Sequence, residues 1–327
     1  MIITKTPFRV SFCGGGSDIP KFYREHGGCV LSTSINRYMY ISIHPYFDEE
    51  KTALKYSRTE IVNDISEIKH TIFKEVLGDM NLKGIEITST ADVPSGTGLG
   101  SSSTFTVGLL NTIYCYKGKY VSKGRIAEEA CDVEINKLGN PIGKQDQYAA
   151  AFGGLNFIEF HKDDTVSVSP IIMEPETSQA LQDNLIILYT GLTHDANKIL
   201  AEQKNNISQK DKTDNLIHMC GLAHAMKKSL ENNDLSDFGA ILDEGWKKKR
   251  ELASGITDPR IDEMYECAMA NGASGGKLLG AGGGGFLLFY CEKYRQKHLL
   301  EALNLRRFPC AFEHDGTSVV YIGDKYW

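Results

Sequence analysis

The chain has 327 residues, 32 of them glycine, 8 cysteine and 9 proline, with 24% charged and 41% hydrophobic residues and a formal net charge of -6. That length is roughly two domains of about 150 residues, enough to bury a sizeable core. The balanced composition excludes a disordered, collagen-like or fibrous chain. The negative balance offers no global positive field, so nucleic acid is not an expected partner. No apolar stretch reaches the roughly 18–20 residues that cross a bilayer. No apolar signal region follows Met1 either, so a cytoplasmic protein without a membrane partner is expected. The cysteines stand singly, with no C-x-x-C pair, which signals neither a disulfide framework nor structural zinc. Glycine is in excess, at about ten per cent against an average near seven.

Residues 2–12 and 30–43 mix β-branched and aromatic residues with polar ones and are expected as strands. Between them, Gly14-Gly15-Gly16-Ser17-Asp18 reads as a loop before a short helix over 19–25. A strand over 84–90 leads into the glycine-rich residues 94–103, and 104–116 is apolar all round, as a buried helix would be. A second helix over 122–138 carries Asp132 and Glu134 near its end and is stopped by Gly139-Asn140-Pro141. Asp146-Gln147-Tyr148 follows, then a strand over 155–160. Residues 173–182 are polar, proline-containing and unpatterned, which places a boundary between Pro170 and Asn184. Beyond it lie a strand over 185–189, several helices over 195–270, a third glycine cluster over 272–285 and a strand over 286–290. Strands and helices without strict alternation predict an α+β fold.

Glycine lets backbone N–H groups approach a ligand, and a loop feeding a helix N-terminus presents unpaired donors and the positive end of the dipole. In the central cluster, Gly96, Gly98 and Gly100 remove side chains, and Ser101, Ser102 and Ser103 add hydroxyls where the helix begins. The spacing matches neither a Walker A loop nor a Rossmann fingerprint. Taken alone, a phosphate loop and a structural turn with a serine cap both fit.

In combination the clusters resemble the GHMP small-molecule kinases, which include galactokinase, homoserine kinase, mevalonate kinase and phosphomevalonate kinase. Pro94 to Ser103 matches the family's P-x-x-x-G-L-G-S-S signature. Thr6-Pro7-Phe8-Arg9-Val10 with Gly14 to Asp18 resembles its N-terminal substrate motif, and Lys277 to Gly285 its C-terminal K-x-x-G-A-G-x-G-G motif. The resemblance implies a two-domain α+β fold: a ribosomal-protein-like, ATP-binding N-terminal domain over 1–175 and a ferredoxin-like C-terminal domain over 176–327. It implies ATP bound by Pro94, Gly96, Gly98, Leu99, Gly100, Ser101, Ser102 and Ser103. It implies Mg²⁺ on Ser102 and Glu134, and Asp146 against the attacking hydroxyl with Arg9 beside it. Gly15, Gly16, Ser17, Asp18, Lys277, Gly282 and Gly283 are implied at the substrate.

Within the family, Gly14-Gly15-Gly16-Ser17-Asp18-Ile19-Pro20 departs from the galactokinase form. It is similar to D-glycero-D-manno-heptose 7-phosphate kinases, as are Tyr189-Thr190-Gly191-Leu192-Thr193 and Trp246 with Lys249-Arg250. The implied reaction is ATP-dependent phosphorylation of the anomeric hydroxyl of the heptose 7-phosphate to the 1,7-bisphosphate, toward nucleotide-activated heptose for surface glycans. A fucokinase-like or galactokinase-like enzyme on an unphosphorylated sugar is the alternative. A sensor that has lost catalysis is the rival from another class, and Ser102, Glu134 and Asp146 all being present argues against it. A homodimer is left open. A phosphorylated substrate needs cations, and Lys21, Arg24, Lys198, Lys249, Arg250 and Lys277 are unranked candidates. His194 stands where the subfamily leads one to expect a base. Lys247 to Arg250, as a basic run on a helix, reads first as a solvated face paired to Asp243-Glu244. His218, Cys220 and His224 lack metal-ligand spacing.

Overall fold

The computed structural model describes residues 1–193 and 196–323. Among them, nine strands form one sheet. Its main path runs Ser318–Ile322, Ile2–Cys13, Gly28–Pro45, Ile85–Ala91, Thr52–Lys55, Thr59–Val62. Gly28–Pro45 is the organising strand. Ile2–Cys13 covers one of its edges, and the other is shared by Leu155–Phe160, Phe312–Glu313 and Ile85–Ala91. Val166–Pro170 pairs outside Leu155–Phe160. The pairings are antiparallel except that of Thr52–Lys55 with Ile85–Ala91. The helix Ser101–Tyr116 packs on Ile2–Cys13 and Gly28–Pro45, burying Phe105, Val107, Leu109, Leu110 and Ile113. Its all-round apolarity is explained by burial between that sheet and the helices Lys123–Cys131 and Gln145–Phe152.

A second, antiparallel sheet has the order Arg306–Arg307, Leu185–Tyr189, Phe286–Tyr290, Gly275–Leu278. Its central strands are apolar at every position because both faces are covered. Ile187, Phe286, Leu288 and Tyr290 join the core of the first sheet. Ile186, Leu188, Leu287 and Phe289 join a second core with Trp246, Leu252, Ile256, Ile261 and Leu299. The period-two alternation thus divides one sheet between two cores. The helices Lys210–Glu231, Phe238–Arg250, Pro259–Ala270 and Gln296–Leu303 complete this half.

The strands expected over 2–12, 30–43, 84–90, 155–160, 185–189 and 286–290 are present within two residues at each end. Residues 173–182 are not a linker. Pro175 opens a helix, Pro175–Asn184, whose buried residue is Leu181, and a single inward residue leaves no periodicity to read. The helix expected over 122–138 runs as an α-helix only through Lys123–Cys131 and widens to π-type over Asp132–Lys137. Phe312–Glu313 and Ser318–Ile322, which a division at 175/176 assigns to the second half, return to the first sheet. The two halves are thereby joined by pairing as well as by the chain. If the shared sheet couples the cores, Ile187→Ala and Leu188→Ala, on opposite faces, will each cost about 2–5 kcal/mol in one common urea transition. Two separate transitions would show that the halves unfold independently.

Candidate active site

The loop between strands Gly275–Leu278 and Phe286–Tyr290 meets the first sheet beside an open cleft of about 1010 Å³ and a small polar cavity of about 70 Å³. Arg9, Ile142, Asp146, Leu200, Gly280 and Ala281 line both. Arg9 is 3% exposed, midway along Ile2–Cys13. Its Nε donates to Asp146 Oδ1 at 2.7 Å, its Nη2 to Oδ2 at 2.8 Å and its Nη1 to the Gly98 carbonyl at 2.8 Å. The bidentate fork fixes the plane of the carboxylate. Asp146 therefore stands in the wall common to both spaces, in the first turn of the helix Gln145–Phe152.

Pro94, Ser95, Gly96, Gly98, Gly100, Ser101, Ser102 and Ser103 line the larger cleft. Gly100 is the N-cap of Ser101–Tyr116, in the left-handed region at φ 81°, and supplies no capping side chain. The first N–H groups of a sixteen-residue helix are thus left for an anion. Leu99 differs from its neighbours: it is 1% exposed, packs in the core, and its carbonyl accepts from Arg9 N at 3.3 Å. It anchors the loop. Gly98 and Gly280 meet backbone to backbone, since a Cβ on Gly280 would lie 2.3 Å from Gly98 Cα. At the far end, Tyr56, His70, Ile72 and Phe105 give the cleft an aromatic and aliphatic wall. His70 contacts Tyr56 and Phe105 with ring centroids 4.8 and 5.1 Å apart, and burial lowers its pKa.

Glu134 sits in the π-type turn, wholly buried yet lining the cleft. Its Oε1 accepts from Ser102 Oγ at 2.6 Å and its Oε2 from Gln147 Nε2 at 2.8 Å. Burial pushes the carboxyl upward, against hydrogen bonds from Ser102, Gln147 and Ser103. Among the described residues no cation pairs with it. A buried carboxylate and a hydroxyl, both oxygen donors, beside a cleft that would bring phosphate oxygens, fit a hard divalent cation.

The smaller cavity is lined by Ser11, Gly15, Gly16, Asp18, Gln145, Gln203 and Lys249 besides the shared residues. Asp18 is 2% exposed and accepts from Gly16 N at 2.9 Å, Gln145 N at 3.1 Å and Gln145 Nε2 at 3.2 Å. Burial raises its pKa, and nearby Asp146 adds to the rise. Lys249 is 5% exposed and donates to the Gly280 carbonyl. Burial, then the nearby Lys277 and Arg9, hold its pKa well below the ordinary value. No carboxylate forms an ion pair with it among the described residues.

Several expected substrate residues are elsewhere. The Ser17 hydroxyl is buried against the backbone of Cys29, accepting from its N–H and donating to its carbonyl. Lys277 lies behind the wall, donating to the Phe12 carbonyl at 3.1 Å, with its pKa lowered to about 8 by burial. Gly282 and Gly283 line neither cavity; a Cβ on Gly282 would strike Ile256, and Gly283 N donates to the Ile256 carbonyl. Of the other cations, Arg24 pairs with Asp164 and Arg250 with Asp262. Lys21 donates to the Lys204 and Asn205 carbonyls, and Lys198 is exposed on the helix Ala196–Asn206. His218 pairs with Glu244. His194 lies outside the described residues. The run 247–250 divides by helical angle: Lys247 pairs with Asp243 in solvent while Lys249 points inward. Ser11 and Gln203 carry no motif that would have announced them, and Gln145 is marked only by standing next to Asp146.

Models of the GHMP kinases' N-terminal domain and of their C-terminal domain match residues 64–154 and 226–309, together more than half of the chain. The chain belongs to the GHMP kinase family. As a GHMP kinase it is an ATP-dependent phosphotransferase, and the expected two-domain α+β GHMP fold holds. It is 29% identical to the D-glycero-alpha-D-manno-heptose 7-phosphate kinase of Campylobacter jejuni, over 92% of this chain and 93% of that one. It is 25% identical to the galactokinase of Pyrococcus furiosus, over 95% and 94%. The solved structure of a D-glycero-D-manno-heptose 1-phosphate kinase from Bacteroides thetaiotaomicron superposes with a TM-score of 0.81 at 26% identity, covering 99% of this chain and all of that one. No helix among the described residues is long and apolar enough to cross a membrane.

Glu134 makes a prediction about this kinase without ligands. Its folded pKa lies above the unfolded value near 4.5, so the folded state binds the extra proton. Stability is then greatest below pH 4.5 and falls as pH rises through the folded pKa. Glu134→Gln is accordingly expected to raise Tm at pH 7, with the gain shrinking toward pH 4 in a thermal-shift series. A Tm lowered at pH 7 would mean that the carboxylate is well solvated by its neighbours.

Proposed function

We propose that this GHMP kinase transfers the γ-phosphoryl group of ATP to the anomeric hydroxyl of D-glycero-D-manno-heptose 7-phosphate, giving the 1,7-bisphosphate for nucleotide-activated heptose. One observation carries the reading: an Arg9-held carboxylate, Asp146, forms the wall between a nucleotide-sized cleft and a polar cavity containing a buried lysine that pairs with no carboxylate among the described residues. The similarity to a heptose 7-phosphate kinase along nearly the whole chain supports the substrate.

In this mechanism the N-terminal N–H groups of Ser101–Tyr116 and the loop glycines bind the ATP phosphates. Ser102 and Glu134 would hold Mg²⁺, which when bound neutralises phosphate charge. Asp146 accepts a hydrogen bond from the attacking hydroxyl and takes its proton as the new O–P bond forms and ADP departs. Arg9 aims that carboxylate through its bidentate fork. Lys249 pairs with an anionic group of the substrate, which would offset the burial that lowers its pKa. The functional halves are 1–175 for nucleotide and 176–327 for closure over the substrate, with the final strands returning to the first sheet.

An ADP-release assay on heptose 7-phosphate, heptose 1-phosphate, galactose and fucose tests the substrate. Heptose 7-phosphate is expected to be turned over fastest, and Lys249→Met to raise its KM by about ten- to hundredfold. Fastest turnover of an unphosphorylated hexose would establish the galactokinase- or fucokinase-like alternative. Asp146→Asn is expected to lower kcat by about 10²–10⁴-fold while calorimetry still detects nucleotide binding. Unchanged turnover would remove Asp146 from the mechanism.

A further inference from the structure

Two polar atoms at the small cavity are left unused by the protein. Gln203 Nε2 and Gln145 Oε1 are buried and find no hydrogen-bond partner among the described residues, and both residues line the cavity. Buried polar groups are almost always paired, because leaving one bare forfeits its hydration without return. Two such side chains lining one polar space point to a ligand that completes them.

Geometry fixes what the Gln145 amide can offer. Gln145 Nε2 donates to Asp18 Oδ1 at 3.2 Å while its backbone N–H holds Oδ2 at 3.1 Å. A flipped amide would set oxygen against carboxylate oxygen, so the free atom of Gln145 is an acceptor. Gln203 is 2% exposed on the helix Ala196–Asn206 and comes in over Gly16. A Cβ on Gly16 would lie 2.3 Å from Gln203 Nε2, and Gly16 has a φ of 103°. The third glycine of the first cluster therefore makes room for an amide from the other half of the molecule. The cavity offers a donor from one half and an acceptor from the other, beside Asp146.

We propose that Gln203 and Gln145 are specificity-determining residues that read two non-reacting hydroxyls of the sugar: Gln203 Nε2 donates to one hydroxyl oxygen and Gln145 Oε1 accepts from another hydroxyl. A hydroxyl both donates and accepts, so a polyhydroxy compound satisfies the pair. A phosphate or carboxylate only accepts and would face Gln145 Oε1 with lone pairs. The proposal rests on the sugar-kinase reading and adds which groups select the sugar.

The test uses Gln203→Met, which keeps the length of the side chain and removes its amide, on the best sugar of the panel and its singly deoxygenated forms. The variant is expected to lose about ten- to hundredfold in kcat/KM for the parent sugar, through KM for sugar and not for ATP. One deoxy form is expected to be equally poor for wild type and variant, since the contact is already absent. Tm of the ligand-free variant should rise, because an unpaired buried amide has been replaced by an apolar group. Gln145→Met should show the same pattern with a different deoxy form. An unchanged sugar KM, or KM values for sugar and ATP rising together with a lowered Tm, would overturn the assignment. Failure of the wild type to phosphorylate any sugar would instead overturn the sugar-kinase reading on which it rests.

Discussion

Arg9 places its guanidinium where strand, loop and helix converge, and the cleft takes its shape from that group. Two of its nitrogens hold Asp146 on the helix Gln145–Phe152, and the third holds the Gly98 carbonyl of the glycine-rich loop over 94–103. Its backbone N–H adds the Leu99 carbonyl. A flexible ammonium could not impose this arrangement, because only a planar fork grips both oxygens of a carboxylate at once. Strand Ile2–Cys13, already paired along most of its length to Gly28–Pro45, gives the fork a rigid base.

The glycine excess serves two distinct ends. Some positions keep side chains out of the ligand's way: a Cβ on Gly96 would meet nothing, and Gly100 opens the helix beside Asp146. Others let backbones touch. Gly98 meets Gly280, Gly285 meets Thr97, and Gly282 meets Ile256, each too close for a Cβ. Through Gly280 and Gly285 the third cluster is a joint that seats the second half on the loop over 94–103.

Around this joint lie groups that burial disfavours: among the described residues Glu134 pairs with no cation and Lys249 with no carboxylate, and Asp18 is close to Asp146. Each opposes folding in the absence of ligand and each is complemented by a group that a kinase would bring to it. Buried, unpaired charge is a common signature of a site built for its ligand, and its cost is borne by two apolar cores that share one sheet.

Local sequence determined much of the scaffold. The β-branched runs, the apolar strands Leu185–Tyr189 and Phe286–Tyr290 and the helix after Gly100 follow from short-range pattern and steric preference. So does the pairing of glycine with a helix start. The motifs also brought Arg9, Asp146, Ser102 and Glu134 onto one list, and the structure brings them to one cleft. What tertiary structure alone decided is direction and depth. Ser17, Lys277, Gly282 and Gly283 match the motif yet face the fold's interior, while Lys249, in what reads as a solvated basic run, turns into the cavity. The strands Phe312–Glu313 and Ser318–Ile322 return across the chain to the first sheet, and Gln203 reaches Gly16 from a helix that carries no signature. Pattern along the chain reports what a residue is and how its neighbours repeat. Which side chain is buried against which is set by contacts as near as Ser17 with Cys29 and as distant as Lys277 with Phe12, and no local spacing encodes them.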